Sequence, residues 1–443
     1  MVKRGALEER FDPDMNLYVR KILTFKYPVG HLKQFLKVKP QYGSNQSGIE
    51  RTSKEEARYV RITDIDEYGN LKDNLGATAE VVENKYVLND NNILFARSGA
   101  TVGKSYLHQV KNVDYTCFFA GYMIRFIVDE KRLLPAFLFS YTQLNVYKEW
   151  TKAIQRAAGQ PNINSEEYKE LFIPIPPIEI QAQIVQKFNQ AYELKRQKEA
   201  EAKALLKSID GYLLEKLGIE LPTANEPKKF FYTRFKDVQG KRFDANAFKE
   251  DRINSIQSLN NCIFPIEKLK FVTKFIKNIV TKNHQQLPYL GLENIESNTG
   301  FYIETTEKES FSSAFHFFKN HVIFPKLRPY LNKVTKTNFE GLCSTEFHVL
   351  QPHKVTSDFL AIFLRSSLVI NQTKCLMSGN TLPRLQTEDI ESLLIPIPDL
   401  NTQFEIASYV TETFDKANQL KSEAKEAIET AKAEVERMIL GES

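Results

Sequence analysis

The chain has 443 residues, a length that predicts two domains rather than one. Of these residues, 42% are hydrophobic and 12% are aromatic, a composition that excludes a disordered chain. Sixty Lys and Arg against 55 Asp and Glu give a net charge of +5, which is too mild to establish a nucleic-acid partner by itself. The sequence lacks an apolar run of membrane-spanning length and a leading signal-peptide segment, so we expect a soluble, cytoplasmic protein.

Short strands and turns are predicted in chain order, with helices after them. Runs that are apolar or alternate in polarity, bounded by Gly, Asn and Asp, predict β-strands at residues 59–62, 92–95, 122–128, 287–292 and 322–324. Helical patterns follow at residues 135–150 and 358–370. Each half of the chain is therefore predicted to be an α+β domain.

An internal repeat organises the whole chain. Leu-Phe-Ile-Pro-Ile-Pro at residues 171–176 returns as Leu-Leu-Ile-Pro-Ile-Pro at 393–398. Four further matches keep the same order: 10–12 with 242–244, 92–97 with 321–326, 159–163 with 379–383, and 165–170 with 387–392. The offset of about 220 to 232 residues is far too long for a solenoid repeat. Two similar units therefore follow one another.

A long helix is predicted after each Ile-Pro-Ile-Pro segment, because proline keeps the chain extended and is tolerated at a helix start. Apolar residues then fall on alternating steps of three and four, which is typical of a coiled coil. The residues predicted to pair the two helices are Val185, Phe188, Tyr192, Leu206, Ile209, Leu213, Val410, Phe414, Ile428 and Val435.

Antiparallel pairing of the helices would hold the two units apart on a rod with approximate two-fold symmetry. Each helix of about 40 residues would be about 60 Å long. Glu199 and Lys421 fall near the middle of the apolar stripes, where we expect each to offset the burial of the other. The alternative is that each helix packs only on its own globular unit.

A glycine-rich turn at residues 99–105, Gly-Ala-Thr-Val-Gly-Lys-Ser, is similar to a nucleotide phosphate loop but has one residue too few before Gly-Lys-Ser. Nucleotide hydrolysis is therefore not expected. Backbone that can be approached closely and outward-pointing donors suit a DNA phosphate or base edge instead. The predicted DNA-binding residues here are Arg97, Ser98, Gly99, Thr101 and Lys104, with Lys326, Arg328, Asn332 and Lys333 in the second unit, where the glycines are absent.

A second candidate loop contains Arg156 and Gln160, with Asn380, Thr381 and Arg384 as its counterpart. Amide and guanidinium groups can pair with adenine and guanine edges. They are also common in ordinary turns with solvated charges, and this alternative stays open for each residue of both loops.

Several kinds of catalytic site are not expected. Cys117, Cys262, Cys343 and Cys375 are too scattered for a zinc or redox motif, so we expect reduced thiols. The seven histidines show no metal-ligand spacing, and no Asn-Pro-Pro-Tyr segment that would methylate a flipped base is found. We therefore predict no catalytic residue and no metal site in this chain.

The two-unit plan, the Ile-Pro-Ile-Pro segments and the helices that follow them resemble the specificity subunits of type I restriction-modification enzymes. The resemblance implies target recognition domains at residues 1–176 and 219–398, and conserved spacer helices at residues 177–218 and 399–443. It implies a non-catalytic subunit that reads a bipartite, gapped double-stranded DNA site.

The resemblance also implies partners: two methyltransferase subunits and, for restriction, two restriction subunits. S-adenosylmethionine, ATP and magnesium would belong to those partners, with no cofactor in this chain. Two other functions compete with this one. A stand-alone DNA-modifying enzyme would need its own active site, and a coiled-coil scaffold would bind protein only.

Overall fold

The computed structural model describes residues 13–155, 161–221, 248–281, 286–304, 312–377 and 382–440. The chain divides into two compact units. Unit 1 contains Met1–Lys198 and Ser422–Ser443, and unit 2 contains Glu199–Lys421. Because this division passes through both long helices, each unit includes part of each of them.

In its described residues, unit 1 combines ten short strands with helices. The strands are β1 (Val29–His31), β2 (Gln41–Tyr42), β3 (Ile49–Glu50), β4 (Arg58–Val60), β5 (Ala77–Thr78), β6 (Ile93–Ala96), β7 (Ser105–Leu107), β8 (Cys117–Phe119), β9 (Met123–Phe126) and β10 (Phe172–Pro174). The helices are α1 (Pro13–Ile22), α2 (Pro135–Tyr141), α3 (Asn145–Ile154), α4 (Ser165–Lys169) and the beginning of α5 (Ile178–Leu217).

The strands of unit 1 form two four-stranded sheets, in the orders β2-β9-β6-β7 and β3-β5-β4-β8, and an antiparallel pair β1-β10. All four residues of β6 are buried, as its continuous apolar sequence predicts. Helix α4 begins with a capping box, in which Asn164 accepts from the Glu167 backbone and the Glu167 carboxylate accepts from the Asn164 N–H. Local sequence therefore sets both elements.

Unit 2 repeats this plan. Its strands are β11 (Ile266–Lys268), β12 (Thr273–Ile276), β13 (Ile279–Val280), β14 (Tyr289–Leu290), β15 (Ala314–Phe317), β16 (Val322–Pro325), β17 (Thr335–Lys336), β18 (Gly341–Ser344), β19 (Phe347–Pro352) and β20 (Leu394–Pro396). Its helices are the end of α5, α6 (Glu250–Leu259), α7 (Leu269–Val272), α8 (Ser357–Leu364), α9 (Ser367–Thr373), α10 (Thr387–Glu391) and the beginning of α11 (Leu400–Leu440).

The sheets of unit 2 correspond closely to those of unit 1. The order β12-β19-β16-β17 matches β2-β9-β6-β7 strand for strand, and β11 pairs with β20 as β1 pairs with β10. The remaining sheet differs, because its order is β13-β15-β18-β14. The predicted α+β class and the predicted repeat are confirmed.

Each Ile-Pro segment forms the last strand before a long helix. Pro174 lies opposite Val29, and Pro396 lies opposite Ile266. The helices that follow contain 40 residues in α5 and 41 residues in α11, so the predicted long helices are confirmed. The predicted helical patches at 135–150 and 358–370 each form two shorter helices.

In unit 1 the two long helices are antiparallel. Lys187 pairs with Glu434 at 2.6 Å, and Lys198 pairs with Glu423, so positions rise along α5 as they fall along α11. Beneath these ion pairs, the side chains that complete the core of unit 1 include the predicted pairing residues, partly or fully buried: Val185, Phe188, Tyr192 and Val435. Ile428 packs with Ala191 and Tyr192.

Unit 2 contains the same arrangement built from other residues. Lys216 pairs with Glu405 at 2.7 Å, and the rings of Tyr212 and Tyr409 stack with centroids 3.7 Å apart. Predicted pairing residues again lie in or against apolar clusters: Ile209, Leu213, Val410 and Phe414 in the core of unit 2, and Leu206 against Ala202 and Ala417.

One expectation about the helices is wrong. Glu199 and Lys421 are not buried, because both side chains are exposed to solvent. Near Glu199 and Lys421, the buried contact between the two helices includes the small residues Ala202 and Ala417, which are each 1% exposed. A burial-compensating charge pair is therefore not required there.

The long helices also hold short helices of the units through carboxylates. In unit 1, the Asn145 N–H at the start of α3 donates to Glu436 of α11 at 2.6 Å. In unit 2, the Ser367 N–H at the start of α9 donates to Asp210 of α5 at 3.0 Å. A carboxylate near a helix N-terminus is stabilised by the free N–H groups there.

None of the helices in the described ranges is apolar over a length that would cross a bilayer. The four cysteines are free thiols, of which Cys117, Cys343 and Cys375 are buried. Burial raises the pKa of the Cys117 thiol to about 11, so this thiol stays protonated at neutral pH.

Candidate nucleic-acid interface

The two turns predicted to bind DNA occupy equivalent places in their units. Residues 97–104 connect β6 to β7, and residues 326–333 connect β16 to β17. The glycine-rich turn is followed by a strand rather than by the helix that a nucleotide phosphate loop requires. This topology agrees with the expectation that residues 99–105 do not form such a loop.

Each turn is held against the segment that follows the second candidate loop. In unit 1, the Ile163 N–H donates to the Arg97 carbonyl at 2.8 Å, and the Gly99 N–H donates to the Pro161 carbonyl at 3.1 Å. In unit 2, the Leu385 N–H donates to the Lys326 carbonyl at 3.0 Å, and the Arg328 N–H donates to the Pro383 carbonyl at 2.8 Å.

These hydrogen bonds place each turn beside residues 161–163 in unit 1 and residues 383–385 in unit 2. They also correct the repeat alignment, because Pro161 is equivalent to Pro383, two residues further than the sequence match suggested. Arg156 and Gln160 in unit 1, and Asn380 and Thr381 in unit 2, lie outside the described residues.

The backbone of the two turns is also equivalent, although their sequences differ. Gly99 and Gly103 have φ angles of +83° and +89°, and the matching positions in unit 2 are Arg328 at +47° and Asn332 at +53°. Glycine and asparagine visit this left-handed region readily, whereas arginine does so only at a cost. The turn therefore survives the loss of both glycines.

Gly99 and Arg328 occupy equivalent positions of the two turns, where Gly99 is half-buried and Arg328 is exposed. A Cβ added at Gly99 would meet no atom within 4 Å, so its backbone is open to close approach, whereas one added at Gly103 would lie 2.7 Å from Thr151. Arg328 is exposed, as is Thr101 in unit 1, while Ser98 is half-buried. These positions can meet a ligand without rearrangement of the turn.

Arg97 has an unusual environment. Its guanidinium carbon lies 5.0 Å from the centroid of the Tyr42 ring, and its buried Nε has no hydrogen-bond partner within the described ranges. Tyr122, whose carbonyl accepts from the Arg97 N–H at 3.0 Å, is 69% exposed. A stacked guanidinium with unused donors is pre-organised for a base edge or phosphate.

Three lysines of the turns donate to backbone carbonyls. Lys104 Nζ lies 2.9 Å from the Ile65 carbonyl, Lys333 Nζ lies 2.7 Å from the Leu292 carbonyl, and Lys326 Nζ lies 2.6 Å from the Thr345 carbonyl. Burial lowers the pKa of both the Lys104 and the Lys326 ammonium groups. These lysines fix the turns and add positive potential near them.

Asn332 shapes the turn from inside. Its side chain is 5% exposed, and Nδ2 donates to the Arg365 carbonyl at 2.9 Å and to Asn298 Oδ1 at 3.3 Å. Asn332 therefore stabilises the turn both through its left-handed backbone and through the hydrogen bonds of its buried amide.

Arg384 forms a two-point ion pair with Glu346. Nε and Nη2 of Arg384 lie 2.9 and 2.8 Å from the two carboxylate oxygens. The Arg384 hydrogen bonds lower the pKa of the Glu346 carboxyl, and its charge lowers it further. Unit 2 thus presents a paired carboxylate and guanidinium where unit 1 presents Tyr122.

Sequence reasoning missed Tyr42, Tyr122 and Glu346. Tyr122 and Glu346 immediately precede the equivalent strands β9 and β19, so a strand alignment of the repeat would have found them. Tyr42 lies on β2, 55 residues before Arg97, and no local pattern links the two. Among the described residues, no group of three His, Cys, Asp or Glu side chains is placed to hold a metal ion.

Comparison with known proteins gives the family. The model of the type I restriction modification DNA specificity domain matches twice, over residues 26–204 and 263–430. The chain is 28% identical over 161 residues to the EcoDI type I restriction enzyme specificity subunit of Escherichia coli, a match that covers 34% of this chain and 36% of that protein.

Two longer similarities extend over most of the chain. The MjaVIII specificity subunit of Methanocaldococcus jannaschii is 20% identical over 390 residues, covering 84% of this chain and 83% of that one. One solved structure concerns the complex assembly and conformational transition of the type I R-M system. A chain of that structure is 14% identical to this chain with a TM-score of 0.52, and the match covers 94% of this chain and 96% of that one. That likeness shows a shared fold. Since the family model matches most of the sequence in two copies, the chain belongs to the type I restriction modification DNA specificity family.

Proposed function

We propose that this chain is a non-catalytic specificity subunit that reads a bipartite, gapped double-stranded DNA site. The recognition domains are residues 1–176 and 219–398, each of which reads one half-site. One observation carries the proposal: the two turns share backbone conformation and hydrogen-bonded neighbours but present different side chains. A shared backbone frame with different side chains suits two readers of different DNA sequences.

The residues of each reader divide by what their side chains touch. Arg97, Ser98, Thr101 and the Gly99 backbone meet DNA in unit 1, and Arg328 meets it in unit 2, because these groups are accessible. Lys104, Lys326, Lys333 and Asn332 hold the turns in place. Arg384 and Glu346 together offer donors and an acceptor for a base edge. Arg156, Gln160, Asn380 and Thr381 lie outside the described residues and stay part of the proposed DNA-binding set on their residue types alone.

The long helices, residues 177–218 and 399–443, act as spacers that form an antiparallel coiled coil with approximate two-fold symmetry. At 1.5 Å per residue, each is about 60 Å long, which limits the gap between half-sites to under about 18 base pairs. The same helices dock two methyltransferase subunits and, for restriction, two restriction subunits. S-adenosylmethionine, ATP and magnesium are bound by those partners, and the complex works in the cytoplasm.

The test is to express the chain with its neighbouring methyltransferase and to map N6-methyladenine in the host DNA. We expect one gapped, asymmetric motif. Replacing residues 97–104 with the 326–333 turn should change one half of that motif and leave the other half intact. Methylation without a gapped motif, or a change in both halves, would contradict the proposal.

A further inference from the structure

A cleft of about 460 Å³ lies within unit 2, and neither Arg384 nor Glu346 is among its lining residues. Residues 203–213 of α5, residues 296–299 and residues 365–367 line it, and Phe414 of α11 adds an aromatic wall. Asn332, which holds the second turn in place, also lines the cleft, but none of the described side chains that we assign to DNA contact lines it.

The charges that line the cleft are not balanced. Lys203, Lys207, Lys421 and Arg365 face Asp210 and Glu296. Both carboxylates are engaged, since Asp210 accepts from the Ser367 N–H at 3.0 Å and Glu296 accepts from the Thr299 hydroxyl. Within the described ranges, none of the four cations forms an ion pair. The cleft therefore carries an excess of positive charge.

Two polar side chains of the wall, the half-buried Arg365 and the buried Ser366, add hydrogen-bond donors to the cleft. Arg365 Nη1 donates to the Val334 carbonyl at 3.0 Å, and burial lowers the pKa of its guanidinium to about 10. Ser366 is only 4% exposed, yet its Oγ has no hydrogen-bond partner in the described part of the chain. The neighbouring Ser367 Oγ is in the same position. Buried polar groups without partners are uncommon and call for a ligand.

Unit 1 fills the equivalent place with its own side chain. The turn closed by Asp66 and Asn70 corresponds to the turn closed by Glu296 and Phe301, with backbone N–H···O distances of 2.8 Å in both. Tyr68 in the first turn lies beneath Lys195 Nζ, 4.5 Å from its ring centroid, and contacts Tyr192. The lysine of unit 1 thus faces an aromatic ring, whereas those of unit 2 face an open cleft.

We propose that the cleft of unit 2 binds a phosphate group, with Lys203, Lys207 and Lys421 at its mouth and the Arg365 guanidinium and Ser366 hydroxyl inside. The shared chemistry is a phosphate ester, and it has two sources, a free nucleotide or a DNA backbone phosphate. Guanidinium, ammonium and hydroxyl donors are the usual partners of phosphate oxygens. The Phe414 ring lines the same cleft, with the Arg365 guanidinium carbon 5.9 Å from its centroid.

The test uses the full chain and the double variant Lys207→Gln/Lys421→Gln. Both lysines are exposed, so their replacement leaves the core intact. The matched control is Lys274→Gln/Lys319→Gln, which removes two exposed lysines of unit 2 outside the cleft. Calorimetry at low ionic strength measures the binding of ADP and of pyrophosphate. Fluorescence anisotropy measures the salt dependence of binding to a 30-base-pair duplex of arbitrary sequence, and circular dichroism confirms the fold.

Binding of ADP or pyrophosphate to the wild type and the control, with a Kd about tenfold higher in the cleft variant, would establish a free phosphate ligand. No binding of these probes, but a salt slope reduced by one to two only in the cleft variant, would establish a backbone phosphate. Equal behaviour of the cleft and control variants in both assays would overturn the proposal. The ADP and pyrophosphate measurements do not involve DNA, so they are independent of the proposed half-site recognition.

Discussion

Replacing Arg328 with glycine separates folding from DNA recognition. Arg328 is exposed and holds a φ of +47°, a conformation that costs an L-residue about 1–2 kcal/mol. Glycine removes this strain but loses about 0.5–1 kcal/mol through the greater freedom of the unfolded chain. The free energy of unfolding of the variant should therefore stay equal or rise by up to about 1.5 kcal/mol.

The same substitution removes the side chain that we assign to DNA contact. Loss of one guanidinium contact to a base or phosphate costs about 1–3 kcal/mol, or about 5- to 150-fold in affinity. Binding of the methyltransferase complex to a duplex carrying its methylated motif measures this at fixed salt, and urea unfolding of the isolated chain measures stability.

Two matched substitutions sharpen the result. Asn332→Gly keeps a residue suited to the left-handed backbone but removes the amide bonded to the Arg365 carbonyl, so it should destabilise by about 1–3 kcal/mol. Lys319→Gln lies in the turn before β16, at the other end of that strand, and should change neither property. Unchanged DNA affinity together with lower stability in Arg328→Gly would refute the assignment, because Arg328 would then be a structural residue.

Three further predictions concern other parts of the molecule. Arg97→Lys keeps the charge but loses the planar group over Tyr42. About 1–3 kcal/mol of base discrimination at the first half-site should therefore disappear, while the second half-site is read normally. Methylome mapping checks this, and a loss of discrimination at both half-sites would contradict it. Phe188→Ala, at 2% exposure in the core of unit 1, should destabilise by about 3–5 kcal/mol in urea unfolding, whereas Phe404→Ala, at 62% exposure, should stay within about 0.5 kcal/mol, and similar losses would contradict the burial. Burial lowers the pKa of His348 to about 3 from an ordinary 6.5. Between these pH values the unfolded chain binds a proton that the folded chain does not, so the free energy of unfolding should fall as the pH decreases from 6.5 to 3, by at most about 1.4 kcal/mol per pH unit. Unfolding titrations of His348→Gln should lack this part of the pH dependence.

The repeat shows how far local pattern carries. Strand β6 and its counterpart β16 were predicted from continuous apolar runs, and both are fully buried. The long helices were predicted from proline placement and the spacing of apolar residues. These features depend on neighbours within a few positions, so the sequence expresses them directly.

The candidate site depended more on tertiary contacts. The turns were found from their residue types. Their equivalence lies in the left-handed backbone at matching positions, and the sequence does not show it because one of these positions is Gly99 and the other is Arg328. The burial expected for Glu199 and Lys421 was wrong, because alanines at the neighbouring level allow the apolar stripe to close without them.

The amino-acid sequence by itself determined the duplication, the fold class and the position of the turns, since each is written in short-range periodicity and repeated motifs. Only the tertiary structure decided that Tyr42 supports Arg97 and that Asn332 is buried beneath the second turn. It also revealed the cleft of unit 2 and showed that Tyr68 occupies the equivalent place in unit 1. Such contacts join residues far apart in the chain, and their formation depends on strand pairing and packing that no local pattern encodes.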